Sequence, residues 1–258
     1  MAAVEQPQRL AGGVAEMNVI SRWDPLSHRS QDVVNAIRDL PREPGDVQVT
    51  GFTAHFIDTQ SSLVAHLPAA LAIVAASTFV VLFLFTGSVV LPLKALLMNV
   101  LTLSAVFGIL VLIFQDGRLE GLLGYTSQGA IEQTMPLLLF AVAFGLSTDY
   151  GVFLLSRIKE ARDGGASDSE AVAIGLERTG RIVTAAALLF AVAIGAFVTS
   201  EIVFIKENGV GTALAVLIDA SIVRALLVPS LMELLGKWNW WAPRPLRRLY
   251  ARIGLSEA

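Results

Sequence analysis

Long stretches without charged side chains constrain this chain more than any other feature of its sequence. Residues 67–85 and 182–200 contain no Asp, Glu, Lys or Arg, and three further stretches, 89–114, 135–156 and 210–235, contain very few. A helix that crosses the roughly 30 Å hydrocarbon core of a bilayer needs about 20 apolar residues, and each stretch meets that requirement. Because unpaired peptide groups cannot be hydrogen-bonded in lipid, irregular backbone is excluded there. The sequence therefore predicts a mostly α-helical, polytopic membrane protein with five transmembrane helices.

Composition excludes several other classes of protein. Of the 258 residues only 16% are charged, against about 25% in an ordinary soluble domain. The chain has no cysteine, and its three histidines, His28, His55 and His66, lie in the first quarter, so the apolar part holds no disulfide, thiolate nucleophile or histidine metal site. The net charge of −3 does not favour a nucleic-acid partner. No catalytic or phosphate-binding motif occurs, so we expect neither an enzyme nor a cofactor.

The distribution of Lys and Arg sets the expected orientation in the membrane. On one side the short loops contain only Arg118 and Lys206, whereas the loop of residues 157–181 on the other side contains five cations. Short cytoplasmic loops carry the excess of positive charge. Three Trp residues and a cluster of Arg follow the last span, a pattern that is typical of a membrane interface. We therefore expect residues 237–258 to form a cytoplasmic basic tail and residues 1–66 to lie outside.

Residues 1–66 have the composition of a soluble segment. Residues 14–23 and 47–50 contain short runs of β-forming residues, and the apolar residues between them have a helical spacing that Ser27 or Ser30 could cap. A β-α-β unit of this size is too short to bury a core alone, so we expect a fragment of a larger extracytoplasmic domain. The segment contains no signal peptide, so we expect its export to be driven by the first span or, more simply, by an upstream helix that is missing from this chain.

Two stretches next to the predicted spans have helical patterns of their own. Residues 52–67 contain no helix breaker before Pro68 and are expected to continue as a helix into the first span. The loop of residues 166–178 begins with a capping-box pattern of Ser167 and Glu170 and is expected to form a separate connector helix on the membrane surface. The first two spans are nearly contiguous, which leaves room only for a tight hairpin between them.

Polar residues inside the predicted spans are the candidate functional residues. Asp149 and Tyr150 lie side by side in the third span, and Asp219 and Arg224 lie in the last one. An ionisable group inside a membrane is costly, so it indicates a functional site by default. Small residues surround Asp149 and allow close helix approach. Its carboxyl group could load and release a proton, and the Tyr150 hydroxyl could donate to it or pass the proton on.

The spacing of Asp219 and Arg224 separates their side chains in an α-helix. Five residues correspond to about 140° around the axis, so we expect each to contact a different neighbour. Asp219 could share a polar interior with Asp149, and Arg224 could neutralise an acid or reach the lipid headgroups. The charged residues near span ends are expected to be interfacial or solvated: Lys94, Lys206 and Glu207.

Four motifs resemble, in this order, the C-terminal half of MMPL-family transporters. This family belongs to the resistance-nodulation-division superfamily of proton-driven exporters and is typical of actinobacteria. Its members have two similar halves, each with one helix, an extracytoplasmic porter domain and five more helices. The motifs are Phe144-Gly-Leu-Ser-Thr-Asp-Tyr-Gly151 continuing to Arg157, Thr179-Gly-Arg-Ile-Val-Thr-Ala-Ala-Ala187, Asp219-Ala-x-x-Val-Arg224 and Trp238-Asn-Trp-Trp241.

The resemblance implies a role for each candidate residue. Asp149 and Tyr150 would be the proton relay pair of the second half, and Asp219 and Arg224 would be polar positions that take part in coupling. The chain would contain the end of the second porter domain, residues 1–66, and the last five helices. In the family the relay pair faces an Asp-Tyr pair from the first half, and this sequence contains only one such dipeptide.

Two functional hypotheses follow from these observations. The first is proton-motive-force-driven export of lipids or other amphiphilic compounds across the cell membrane. Its expected partners are protons, membrane lipids and either an N-terminal transporter half or a second copy of the chain. The alternative is a non-transporting membrane assembly protein or a truncated gene remnant. An intramembrane hydrolase is poorly supported because no nucleophile–base constellation is present.

Overall fold

The computed structural model describes residues 3–40 and 47–253. The chain divides into two compact units, Met1–Ala70 and Leu71–Ala258. Both this boundary and the predicted one after residue 66 fall within the long helix Phe52–Thr86. The two units are described in turn, beginning with the N-terminal one.

An irregular β-hairpin opens the N-terminal unit. Its four short strands pair antiparallel, β1 with β4 and β2 with β3, so that Val4 lies opposite Val19 and Arg9 lies opposite Ala15. The helix that follows, α1, spans His28–Arg38, and the Ser27 side chain accepts a hydrogen bond from the Ser30 amide at its start. The strands are β1 Ala3–Val4, β2 Gln8–Arg9, β3 Ala15–Glu16 and β4 Val19–Ile20.

The predicted β-α-β unit is only partly present. Its helix and its Ser27 cap are confirmed, and the first strand candidate contains β3 and β4. The prediction of a second strand was wrong, because residues 47–50 form no strand. Val19 and Ile20 pair with β1 from the same hairpin. A hairpin partner closes a shorter loop than a partner beyond α1, so its pairing loses less chain entropy.

Helices make up almost all of the remaining chain. The element α2 runs without interruption through Pro68, as predicted, and a tight hairpin joins it to α3. Two of the elements continue as π-helix, Val111–Gln115 after α3 and Asp219–Leu227 after α7. The α-helices are α2 Phe52–Thr86, α3 Val90–Leu110, α4 Glu120–Leu123, α5 Met135–Asp163, α6 Asp168–Gly195, α7 Val203–Ile218, α8 Val228–Leu235 and α9 Arg244–Ile253.

Five helices within the described residues are long and apolar enough to cross a membrane, which confirms the predicted fold class. They are Phe52–Thr86, Val90–Gln115, Met135–Asp163, Asp168–Thr199 and Val203–Trp240. The prediction of a separate connector helix was wrong, because α6 begins at the predicted capping box and continues directly into the fourth span. No Pro or Gly-Gly sequence interrupts residues 168–195, so nothing ends the helix between the two segments.

The α2–α3 hairpin depends on a glycine and a serine. Gly87 has a φ of +69°, a conformation that favours glycine, and a Cβ there would lie 2.8 Å from the Tyr250 ring of α9. Ser88 Oγ donates a hydrogen bond of 2.5 Å to the backbone oxygen of Asn239. The hairpin is therefore tied to the segment that follows α8. Residues 254–258 of the predicted basic tail lie outside the described residues.

Two buried apolar clusters fill the helical unit at different levels. One lies near the α2–α3 hairpin and includes Leu91, Leu154 and Met232. The other lies toward the opposite ends of the same helices and includes Leu110 and Leu139. Between the two clusters in sequence fall the buried polar residues Asn99 of α3 and Asp219 and Arg224 of the last span, and the half-buried Ser147 of α5. The helices thus place a polar layer between two apolar layers.

Close approach of α5 and α6 at Gly175 generates a prediction about stability. A Cβ at Gly175 would lie 3.2 Å from the Ile158 backbone nitrogen and would overlap the Ile158 side chain. We expect Gly175→Ala to lower the free energy of unfolding by about 1–3 kcal/mol, because the helices must separate. Unfolding of the purified protein in detergent measures this. Gly180→Ala, on the same helix with no atom within 4 Å, is the control and should be neutral or slightly stabilising; equal effects would contradict the proposed close packing.

Candidate functional site

A buried ion pair forms the centre of the polar layer. Arg224 Nε donates to Asp219 Oδ2 across 2.6 Å, and only 5% of Asp219 and 6% of Arg224 are exposed. An isolated charge in this apolar surrounding would be strongly unfavourable, and pairing offsets much of that free energy. The two charges therefore stabilise each other inside the unit.

This contact contradicts the prediction that Asp219 and Arg224 have different neighbours. That prediction assumed an α-helix, whereas residues 219–227 form a π-helix. In a π-helix the hydrogen bonds join residues five apart, which brings side chains at this spacing over one another. Asp219 and Arg224 can therefore pair within one element, which regular α-helical geometry would prevent. Single π-turns are frequent at functional sites.

Ser147 of α5 connects the ion pair to α3. Its Oγ lies 2.8 Å from Asp219 Oδ1 and 2.6 Å from Asn99 Oδ1, and its backbone oxygen accepts a hydrogen bond from Arg224 Nη2. A hydroxyl has one proton, so at any moment Ser147 donates to one of the two oxygens. Asn99 is 5% exposed and was not recognised as a site residue from the sequence. Three helices thus meet at one hydroxyl group.

Asp149 occupies a different face of α5 from Ser147. Two residues correspond to about 200° around an α-helix, so the side chains diverge. Asp149 is exposed and has no hydrogen-bond or ion-pair partner among residues 3–40 and 47–253. The idea that Asp149 and Asp219 share one polar interior was therefore wrong. Asp149 lies halfway along a membrane-spanning helix and faces away from the five-helix unit.

Tyr150 lies between the exposed acid and the buried pair. It is half-buried, and the Arg224 guanidinium carbon lies 5.5 Å from the centre of its ring, within the range of a cation–π contact. Together with Ser147 and Asp219 it lines a small cavity. Tyr150 therefore packs against the ion pair, although the residue before it in the chain, Asp149, faces outward.

Lys94, Lys206 and Glu207 are buried, which contradicts their predicted interfacial or solvated positions. Lys206 Nζ donates to the backbone oxygens of Leu123 and Gly124. These residues were misjudged because charges near span ends usually reach water. For Lys94 a signal was present: it is three residues after Leu91 and four before Met98, and both share the buried face of α3.

The described residues contain no group of three or more His, Cys, Asp or Glu side chains that could hold a metal ion. Their charged groups inside the bundle are instead paired with one another or with backbone, apart from Lys94, whose Nζ has no hydrogen-bond partner. Together with five spanning helices, these features define the chain as part of a polytopic membrane protein with a polar intramembrane centre.

Comparison with known proteins identifies the family. The MMPL family model matches residues 12–254, and the chain belongs to the MMPL family. The family resemblance of the sequence motifs is thereby confirmed.

Three relatives share between 37% and 49% of their aligned residues with this chain. A Streptomyces coelicolor protein, SCO6666, is 49% identical over 226 residues, which are 88% of this chain and 32% of that protein. The trehalose monomycolate exporter MmpL3 of Mycobacterium tuberculosis is 49% identical over 82% of this chain and 22% of its own length. The heme uptake protein MmpL11 of the same organism is 37% identical over 97% of this chain and 26% of its own. The chain thus spans a fifth to a third of these relatives.

The Asp219–Arg224 pair generates a prediction about charge compensation. We expect Arg224→Met to lower the free energy of unfolding by about 3–5 kcal/mol, because it leaves Asp219 buried without its counter-charge. The double variant Asp219→Leu with Arg224→Met should regain most of this loss. Unfolding of Arg224→Met, Asp219→Leu and the double variant in detergent measures the three values. A double variant as unstable as the sum of its two single variants would show that the pairing contributes nothing.

Proposed function

We propose that this chain supplies the last five helices of an MMPL transporter that exports lipids or other amphiphilic compounds, driven by the proton motive force. The name of the relative MmpL3 as a trehalose monomycolate exporter supports the lipid class of substrate. Membership of the MMPL family supports the transport role. Most of the extracytoplasmic substrate path would lie in parts of the transporter beyond this chain.

The observation that carries the proposal is the outward position of Asp149. A charged carboxylate halfway along a membrane-spanning helix is unfavourable when it faces lipid. Asp149 has no partner among the described residues, so its charge needs a partner from another helix. In this proposal the partner is the other half of the transporter, or a second copy of the chain. Asp149 then lies at the interface between the two halves.

Proton binding at this interface would change the interaction between the halves. The Asp149 carboxylate takes up a proton from the outer side and becomes a neutral carboxylic acid. The neutral acid no longer needs a charged or polar partner, so the two halves can rearrange. Release of the proton toward the cytoplasm restores the carboxylate and the first arrangement. Export of the amphiphile is linked to this alternation.

Tyr150 is the connection between Asp149 and the Asp219–Arg224 pair in this proposal. Its ring contacts the Arg224 guanidinium, and its backbone continues directly from Asp149. A shift of α5 at the interface therefore moves Tyr150 against a buried ion pair that is held by Ser147. Asp219 and Arg224 would couple the protonation of Asp149 to the packing of the last span against α3 and α5.

The proposed orientation places the α2–α3 hairpin, the α5–α6 connection and the segment after α8 in the cytoplasm. The positive charges of residues 157–181 and of the C-terminal tail support it. Residues 1–66 then lie outside as a fragment of the porter domain. The protein would be a multi-pass protein of the cytoplasmic membrane.

Asp149 is tested by a substitution that keeps size and removes titration. In the transporter assembled with its other half, we expect Asp149→Asn to abolish export while the amount of protein in the membrane stays unchanged. Asp163→Asn at the cytoplasmic end of the same helix is the matched control and should retain full activity, because Asp163 is solvent-exposed and forms a surface ion pair with Lys159. Lipid export by inverted membrane vesicles measures both. Full activity of Asp149→Asn would exclude Asp149 as the proton carrier.

Tyr150→Phe should reduce export less severely than Asp149→Asn. The variant keeps the ring that packs against Arg224 and loses only the hydroxyl group. The same vesicle assay gives the comparison. An effect as large as that of Asp149→Asn would assign the hydroxyl a direct part in proton transfer, and wild-type activity would limit Tyr150 to packing.

The orientation is tested with single cysteines, because the sequence contains none. In intact cells we expect Ser169→Cys, near the α5–α6 connection, to be shielded from a membrane-impermeant maleimide. Gly121→Cys of α4 should be labelled under the same conditions. As the control, both cysteines should be labelled by the maleimide in permeabilised cells. Labelling in the opposite sense would overturn the assignment of residues 1–66 to the outside.

A further inference from the structure

A cavity of about 50 Å³ lies on the hairpin side of the polar layer. Most of its wall is apolar and comes from α2, α3, α5 and the last span. A buried water molecule needs about 10–15 Å³ of such space, so the cavity can hold about three to five. Its polar lining residues are Lys94, Asn99, Ser147, Thr148, Asp219 and Arg224.

Lys94 has no protein partner in this cavity. Only 7% of the residue is exposed, and its Nζ makes no hydrogen bond with the described residues. Of the residues that line the cavity, only Lys94, Asp219 and Arg224 can carry a charge, and the last two neutralise each other. An ammonium group without a carboxylate partner is unfavourable in such a place, whereas a neutral amine is much less so. Water, for which the cavity has room, would give the amine a polar partner.

We propose that Lys94 carries protons through this water-filled cavity, between the cytoplasmic face and the Asp219–Arg224 pair. The inference rests on the proposed proton-driven function and orientation, and it adds a residue and a route to them. The nitrogen lone pair of the neutral Lys94 amine takes a proton from a hydronium ion in the cavity, which forms an ammonium and leaves a water molecule. The ammonium then donates a proton to water on the hairpin side, and the neutral amine is restored. No bond other than N–H and O–H forms or breaks.

Permanent charge at Lys94 would block this route. A fixed cation inside a narrow, apolar cavity repels an incoming hydronium ion, as charged groups do in pores that exclude protons. The proposal therefore requires a group at this position that can release its proton. This requirement separates a carrier from a structural lysine, for which any long cationic side chain would suffice.

Three substitutions at Lys94 test the carrier role in the assembled transporter. Lys94→Arg keeps a long cationic side chain, but a guanidinium does not release its proton in proteins. Lys94→Met keeps the apolar stem and has no titratable group. We expect export by both variants to fall at least tenfold. Lys94→His has a group that titrates and should regain part of the activity, with a pH profile different from that of the wild type.

Hydration of the cavity is measured separately from transport. Val152 lines the cavity, whereas Ile182 of α6 is an exposed apolar residue that does not. We compare the rates at which Ag⁺ blocks later maleimide labelling of Val152→Cys and of Ile182→Cys in inverted vesicles containing the full chain. Val152→Cys should react at least tenfold faster than Ile182→Cys. Combining each cysteine with Lys94→Arg should leave both rates unchanged, which shows that this variant is folded.

These measurements decide the proposal independently of Asp149. Equal Ag⁺ reaction rates at the two cysteines would show a dry cavity and overturn the route. Wild-type export by Lys94→Arg or by Lys94→Met would overturn the carrier role. Either result would leave the expected loss of export in Asp149→Asn untouched. Conversely, an active Asp149→Asn variant would remove the proposed proton cycle even if the cavity is hydrated.

Discussion

The free energy of placing an ionised side chain in an apolar environment is the constraint on which this structure depends. Asp219 and Arg224 are tolerated in the bundle because they pair at 2.6 Å and because Ser147 bonds to both. The apolar clusters on either side bring three helices together and exclude water from most of the unit. A polar layer between two apolar layers is therefore both a structural element and the centre of the proposed function.

The π-helix of residues 219–227 shows how backbone geometry meets this constraint. Regular α-helix would direct the two charged side chains to different faces and leave each in need of another partner. Hydrogen bonds between residues five apart bring them together within one element. The last span therefore carries its own compensated ion pair. Its charges need no contribution from another chain, in contrast to Asp149.

The polar layer has an inner side, buried among the helices, and an outer side, exposed on α5. The polar groups of the inner side have partners within the bundle, whereas the acid of the outer side has none there. On the inner side Asn99, Ser147 and the ion pair satisfy one another, and a small cavity extends from them toward Lys94. On the outer side Asp149 is exposed without a partner in the described part of the chain. α5 belongs to both sides because Ser147 and Asp149 diverge around its axis. In the proposed transporter this helix transmits events at the interface between the halves to the inner ion pair.

The sequence alone determined the number of spans, the helical continuation through Pro68 and the family, since charge-free stretches and contiguous motifs are local properties of the chain. It also singled out Asp149, Tyr150, Asp219 and Arg224 as candidate residues, whose roles stay predictions. Only the tertiary structure decided which residues contact each other: Asp219 pairs with Arg224, and Asn99 joins the site through Ser147. Helix type and helix rotation fix these contacts, and neither follows from hydropathy. The burial of Lys94 likewise depends on how four packed segments surround it, and in the sequence only its spacing from Leu91 and Met98 indicated it.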